Sequence, residues 1–114
     1  MRSFFLALGL VAVALPARAE TIQPADAKAH VGKTVTIQAA VTEVKTGRGG
    51  VTFLDMGGSF PDNAFAAVIF ASDLAKFPGA KTLKGKTVSI SGEVVLYQDR
   101  PEIILKTADQ LKAN

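Results

Sequence analysis

The 114-residue sequence contains no cysteine, one histidine, one tyrosine and no apolar run long enough to cross a bilayer. Each shortage excludes something. Without cysteine there is no disulfide staple, so burial of Val, Ile, Leu and Phe must supply the stability. His30 has no metal-ligand motif around it and reads as a surface residue rather than a ligand or base. Asp55, Asp62 and Asp73 form no spaced metal motif, and Asp62-Asn63 is ordinary turn chemistry. Gly47, Gly49 and Gly50 superficially suggest a phosphate loop, but the lysine-serine ending and following helix are missing. No cofactor is implied, no catalytic constellation is visible, and a non-enzymatic protein is expected.

What is present begins with a charged start, Met1-Arg2-Ser3, followed by an apolar run from Phe4 to Leu15. Twelve residues fall short of the roughly 20 that span a bilayer. Pro16 breaks the run, and Ala17-Arg18-Ala19 offers small residues where a signal peptidase needs them. The pattern predicts a secretion signal over residues 1–19 cleaved after Ala19, a periplasmic or secreted address, and one mature domain over residues 20–114. The cleavage point has no cysteine, which argues against a lipid-anchored precursor. Loss of Arg2 and Arg18 would leave 11 basic against 10 acidic residues, a net of +1. The high whole-chain pI of about 9.4 is therefore no electrostatic footprint for nucleic acid. Any basic surface must come from local clustering.

Residues 20–32 read as a lead-in with one helical turn opened by Pro24. From Lys33 the period switches to two. Val35, Ile37, Ala39 and Val41 alternate with Thr34, Thr36, Gln38 and Ala40, and Val44 falls out of phase, which predicts a bulge or bend. A second strand runs from Val51 to Met56 and a third from Ala64 to Ala71. Ser72 or Asp73 then caps a short helix closed by Pro78-Gly79. A fourth strand carries Val88, Ile90, Gly92, Val94 and Leu96, with Gly92 permitting a tight bend. Gln98 to Pro101 turns the chain into a fifth strand over Glu102 to Lys106, and Thr107 to Asn114 reads as a polar tail. Long first and fourth strands that can bend suit a small closed barrel. The expectation is an all-β, five-stranded OB-fold barrel with a short helix between strands three and four. An SH3-like barrel is the alternative.

Four stretches carry a family likeness: Val51-Thr-Phe-Leu-Asp-Met-Gly-Gly-Ser-Phe-Pro61, Phe65-Ala-Ala-Val-Ile-Phe70, Leu83-Lys-Gly-Lys-Thr-Val-Ser-Ile-Ser-Gly92 and Leu96-Tyr-Gln-Asp-Arg-Pro-Glu-Ile-Ile-Leu105. Together they resemble a family of small bacterial OB-fold domains, usually described as nucleic-acid-binding-like and often secreted. The likeness covers roughly residues 22–111, with the Tyr97 to Leu105 hairpin its most specific piece. It implies an OB barrel, and it implies a ligand class more softly, because the fold hosts oligonucleotide, oligosaccharide and small-ligand binders alike.

An OB barrel binds across its second and third strands, between the first-to-second and fourth-to-fifth strand loops. Single-strand binding there needs cations for phosphates and flat side chains for bases. Lys45, Arg48 and Arg100 are candidates for the first role, and Tyr97 with Phe53, Phe60 or Phe65 for the second. Each has a plainer reading: Arg48 as a solvated loop charge, Arg100 as the partner of an acidic neighbour, Tyr97 as a cap on the barrel end, Phe53 and Phe65 as core. Pattern alone leaves open which face of strands two and three is buried, since both sets are apolar. Whichever set faces out would present an apolar strip, suited to a small ligand or an envelope protein partner. The expectation is a binding module for single-stranded nucleic acid or a similar anionic oligomer, with that partner-binding barrel as the alternative. A trough filled by the protein's own side chains or bordered by acids would count against the first.

Overall fold

The computed structural model describes residues 20–114; the predicted secretion signal and its cleavage site lie outside the described residues. The chain opens with β1 (Glu20–Ile22) and a 3-10 turn over Pro24–His30. The alternating stretch forms β2 (Thr34–Thr46), whose Val35, Ile37 and Val41 are buried. β3 (Thr52–Met56) and β4 (Phe65–Ile69) follow, then β5 (Thr87–Glu93), β6 (Val95–Tyr97), β7 (Arg100–Ile104) and β8 (Leu111–Ala113). The strands form one sheet in the order β6-β7-β4-β3-β2-β5-β8, with β1 alongside β2. The β4–β7 and β1–β2 pairs are parallel, and the other strand pairs are antiparallel. The architecture is all-β and OB-like. Among the described residues no helix is long and apolar enough to cross a membrane.

Two strands turn corners, as their sequences predict. Thr34–Ala40 of β2 pairs with β5, while Val41–Thr46 pairs with β3. Between them the register shifts at Val41/Glu43, which returns the out-of-phase Val44 to the edge of the core. The predicted fourth strand divides into β5 and β6, separated by Val94 alone. Its first half pairs with β2 and its second with β7. Val94 stays anchored there, donating its N–H to Lys33 O and accepting from Gly32 N.

Three expectations need correction. The sheet has eight strands, not five: the predicted fourth strand is split, and parts of the lead-in and tail pair as β1 and β8. The tail becomes a strand because Gln110 holds it. Its Oε1 accepts from the backbone N–H of Lys106 and Thr107, and its Nε2 donates to Ser91 O and Ile104 O. The sheet is also not a closed ring of ladders; continuity through Val94 instead joins β6 at one end to β5, the strand next to the other end. Finally, the helix between β4 and β5 is a 3-10 turn over Ala71–Lys76, followed by a second over Ala80–Thr82. Neither Ser72 nor Asp73 caps it. Asp73 lies inside the turn and pairs with Lys76 at 2.9 Å.

Inward-facing Val35, Ile37, Leu54, Met56, Phe65, Ile69, Ile90 and Ile103 belong to one core cluster. At the fourth-strand corner the packing leaves no room. Gly92 has φ 155°, and a Cβ there would lie 2.7 Å from Ile103 Cγ2 and 2.9 Å from Gln110 Nε2. Gly92→Ala is expected to destabilise the domain by about 2 kcal/mol through overpacking and backbone strain. A urea titration should show a lower midpoint with unchanged slope. An unmoved midpoint would mean that the corner relaxes freely.

Candidate nucleic-acid interface

The bulge in β2 decides which side chains face outward over β3, β4 and β7. Leu54, Met56, Phe65, Ala67 and Ile69 point into the core, so the opposite set is Phe53, Asp55, Ala66 and Val68. Pairing aligns that set across the sheet. Glu43 of β2 lies opposite Asp55 of β3, Asp55 opposite Ala66 of β4, and Ala66 opposite Glu102 of β7. In the next row Lys45 lies opposite Phe53 and Phe53 opposite Val68. The outward strip is therefore neither uniformly apolar nor open: Asp55 and Glu102 interrupt it, and Ala66 and Val68 are buried.

A trough of about 330 Å³ lies over this face. Lys45, Thr46 and Gly47 border one side, and Tyr97, Arg100 and Glu102 the other. Asp55 lies on the floor strand, and Phe60 hangs over from the β3–β4 loop. That loop is tied down at several points: Ala64 N donates to Gly57 O, and the Thr42 hydroxyl lies 2.6 Å from Gly58 O and 3.0 Å from Asp55 O. The β6–β7 hairpin opposite turns through Gln98 and Asp99, both at positive φ (51° and 66°), the geometry of a two-residue turn matched to strand twist.

Phe60 links the two sides. Lys45 Nζ and Arg100 Cζ each lie 4.5 Å from its ring centroid, both within cation–π range. Arg100 also donates to Asn63 Oδ1 at 3.1 Å and to Pro61 O at 2.9 Å. Its hydrogen bonds thus go to the loop carrying Phe60, not to the acidic neighbour that the sequence offered. The ring remains 55% exposed and Tyr97 59%.

Four of the six predicted residues therefore meet at the trough: Tyr97 with an exposed ring, and Lys45, Phe60 and Arg100 packed against one another. The other two do not. Phe65 borders the trough from below, but its ring fills the core at 1% exposure and offers no stacking face. Arg48 sits in an exposed 3-10 turn over Arg48–Gly50 and does not border the trough. His30 serves a local role: Nδ1 lies 3.0 Å from Asp26 O and Nε2 3.5 Å from Glu20 Oε1.

The residues that pattern reading missed are Asp55 and Glu102. The signal was present: each is a lone acid at mid-strand between apolar neighbours, Leu54-Asp55-Met56 and Pro101-Glu102-Ile103. Asp55 is 3% exposed, and its Oδ2 has no hydrogen-bond partner. Burial pushes its pKa up, opposed by the Phe60 backbone amide, Lys45 and Arg100, and reinforced by Glu43. Burial likewise raises Glu102, with Arg100 opposing and Asp55 reinforcing. The trough is thus mixed in charge, with Asp55 and Glu102 lining it beside Lys45 and Arg100, and these acids count against the expectation of an anionic ligand. Among the described residues no group of three or more His, Asp or Glu side chains is placed to hold a metal ion.

No family model and no curated protein matches the chain. Solved structures do. A provisionally assigned aspartyl-tRNA synthetase of Leishmania major Friedlin matches over 88% of this chain and 21% of its own, at 13% identity and TM-score 0.56. Asparaginyl-tRNA synthetase of Entamoeba histolytica, solved with asparaginyl-adenylate, matches over 84% of this chain and 24% of its own, at 18% identity and TM-score 0.55. A Klebsiella pneumoniae lipoprotein provisionally described as nucleic-acid-binding is covered over 97% of its length, at 16% identity and TM-score 0.49. The chain spans only a fifth to a quarter of the synthetases, and at these identities the likeness is one of fold.

An acid with a raised folded pKa lowers stability as it ionises. Stability should therefore fall as pH rises from the unfolded carboxylate range, about 4, through the folded pKa values of Asp55 and Glu102. Asp55→Asn should raise the melting temperature at pH 7, with the gain shrinking at pH 4. Thermal melts at the two pH values read this directly, and equal or lower stability at pH 7 would show that the buried carboxylate is satisfied.

Proposed function

We propose that this is an exported, non-enzymatic OB-fold binding protein that holds single-stranded nucleic acid in the trough over β3 and β4. One observation carries the reading: the two most exposed aromatic rings of the described residues, Phe60 and Tyr97, border the same trough as Lys45 and Arg100. Flat rings for bases beside cations for phosphates are the two requirements of single-strand binding. The shared fold with two synthetases named for tRNA adds support. Export rests on the reading of residues 1–19.

The acidic floor shapes the expected behaviour. Phosphates are confined to the rim, where Lys45 and Arg100 are the cations bordering the trough, while bases turn inward. Few phosphate contacts mean weak binding with shallow salt dependence. Two neutralised phosphates on a single strand give a slope of about −1.4 in log K against log salt. Fluorescence anisotropy with a mixed-sequence single-stranded oligonucleotide across a salt series tests this. Tyr97→Ala and Phe60→Ala should each weaken binding about tenfold, the worth of one stacked base. Arg48→Ala should leave it unchanged. Absence of binding at low salt would remove the reading, and a protein co-purifying regardless of nuclease and salt would favour a partner-binding barrel.

A further inference from the structure

One acceptor on the trough floor has nothing to accept. Asp55 is 3% exposed and borders the trough, yet its Oδ2 is unpartnered. Buried polar atoms in folded proteins are almost always paired, so an unpartnered acceptor on a residue that borders a ligand-sized space points to a bond completed by the ligand. Glu102 stands in the same transverse row, separated from Asp55 by Ala66, whose side chain is a single methyl group. Phe60 and Tyr97 border the trough above.

A flat ring stacked there would turn one edge toward the two carboxyls. A carboxylate accepts hydrogen bonds and has none to give, so it favours edges that carry amino groups. Cytosine offers its N4 amino group, adenine its N6 amino group, and guanine its N2 amino group beside N1–H. Thymine and uracil instead present two carbonyl oxygens around a single N–H, and those oxygens meet the carboxylates with repulsion.

We propose that the trough floor reads base identity, with Asp55 Oδ2, assisted by Glu102, selecting amino-bearing bases over thymine and uracil. This rests on the single-strand reading above and adds a specificity to it. Phosphate contacts set affinity for any strand, whereas this pair of carboxyls sets which strand is preferred.

The test compares oligodeoxycytidylate with oligodeoxythymidylate of equal length, binding the full chain at low salt. The cytosine strand should bind about tenfold tighter, within the range of one base-edge contact. Asp55→Asn turns amide N–H donors toward the base and should abolish or reverse the preference. Glu102→Gln should narrow it, and supports the assignment independently if the first variant fails to fold. Equal binding of the two strands overturns base selection while leaving strand binding intact. A preference unchanged in both variants overturns the role of these carboxyls. Binding to neither strand, nor to the mixed sequence, removes both readings together.

Discussion

The structure depends on making one extended segment serve two neighbours on either side of a bend. A small sheet that curls upon itself has too few residues to give every neighbour its own strand. β2 and the β5–β6 segment therefore each pair twice. A single extra residue turns the first, and the missing side chain at Gly92 lets the second pass Ile103 and Gln110 closely enough to turn. These corners bring β7 alongside β4 and carry the β6–β7 hairpin over the outward face of β3 and β4. The trough is thus a by-product of how the sheet turns. Its walls come from the two loops that the corners draw together.

Electrostatics in the trough follow from depth. Lys45 and Arg100 are held against the Phe60 ring, each 4.5 Å from its centroid. Asp55 and Glu102 lie below, where burial works against ionisation and the rim cations work in its favour. A surface summing to near neutrality can therefore still carry cations and buried carboxyls side by side in one trough. Net charge says little about such a site, because it discards their positions.

Much of the fold was legible because period and phase are properties of the chain itself. The alternation from Thr34, the misfit at Val44 and the glycine at position 92 each named a local geometry that the structure contains. The 3-10 turns, β1 and β8 were less legible, because a three-residue strand has no period to detect and depends on distant partners such as the carbonyls that Gln110 engages. The site divided in the same way. Position at the strand ends beside the loops brought Lys45, Tyr97 and Arg100 to one trough with Phe60 of the β3–β4 loop. Strand direction then turned the Phe65 ring into the core beneath it, since a shift of one residue reverses a side chain's face and both faces here are apolar. Asp55 and Glu102 were visible as isolated acids, but their alignment across Ala66 is a matter of register between strands far apart in sequence.

The short strands carry a consequence of their own. β1, β6 and β8, which flank the longer strands at the margins of the sheet, each span only three residues, and β8 includes Lys112. Long bare margins invite strands from other molecules to add on, whereas short or charged ones discourage it. The interior strands, rich in Val and Ile, are shielded behind these brief borders. Such borders limit edge-to-edge pairing between copies of the fold.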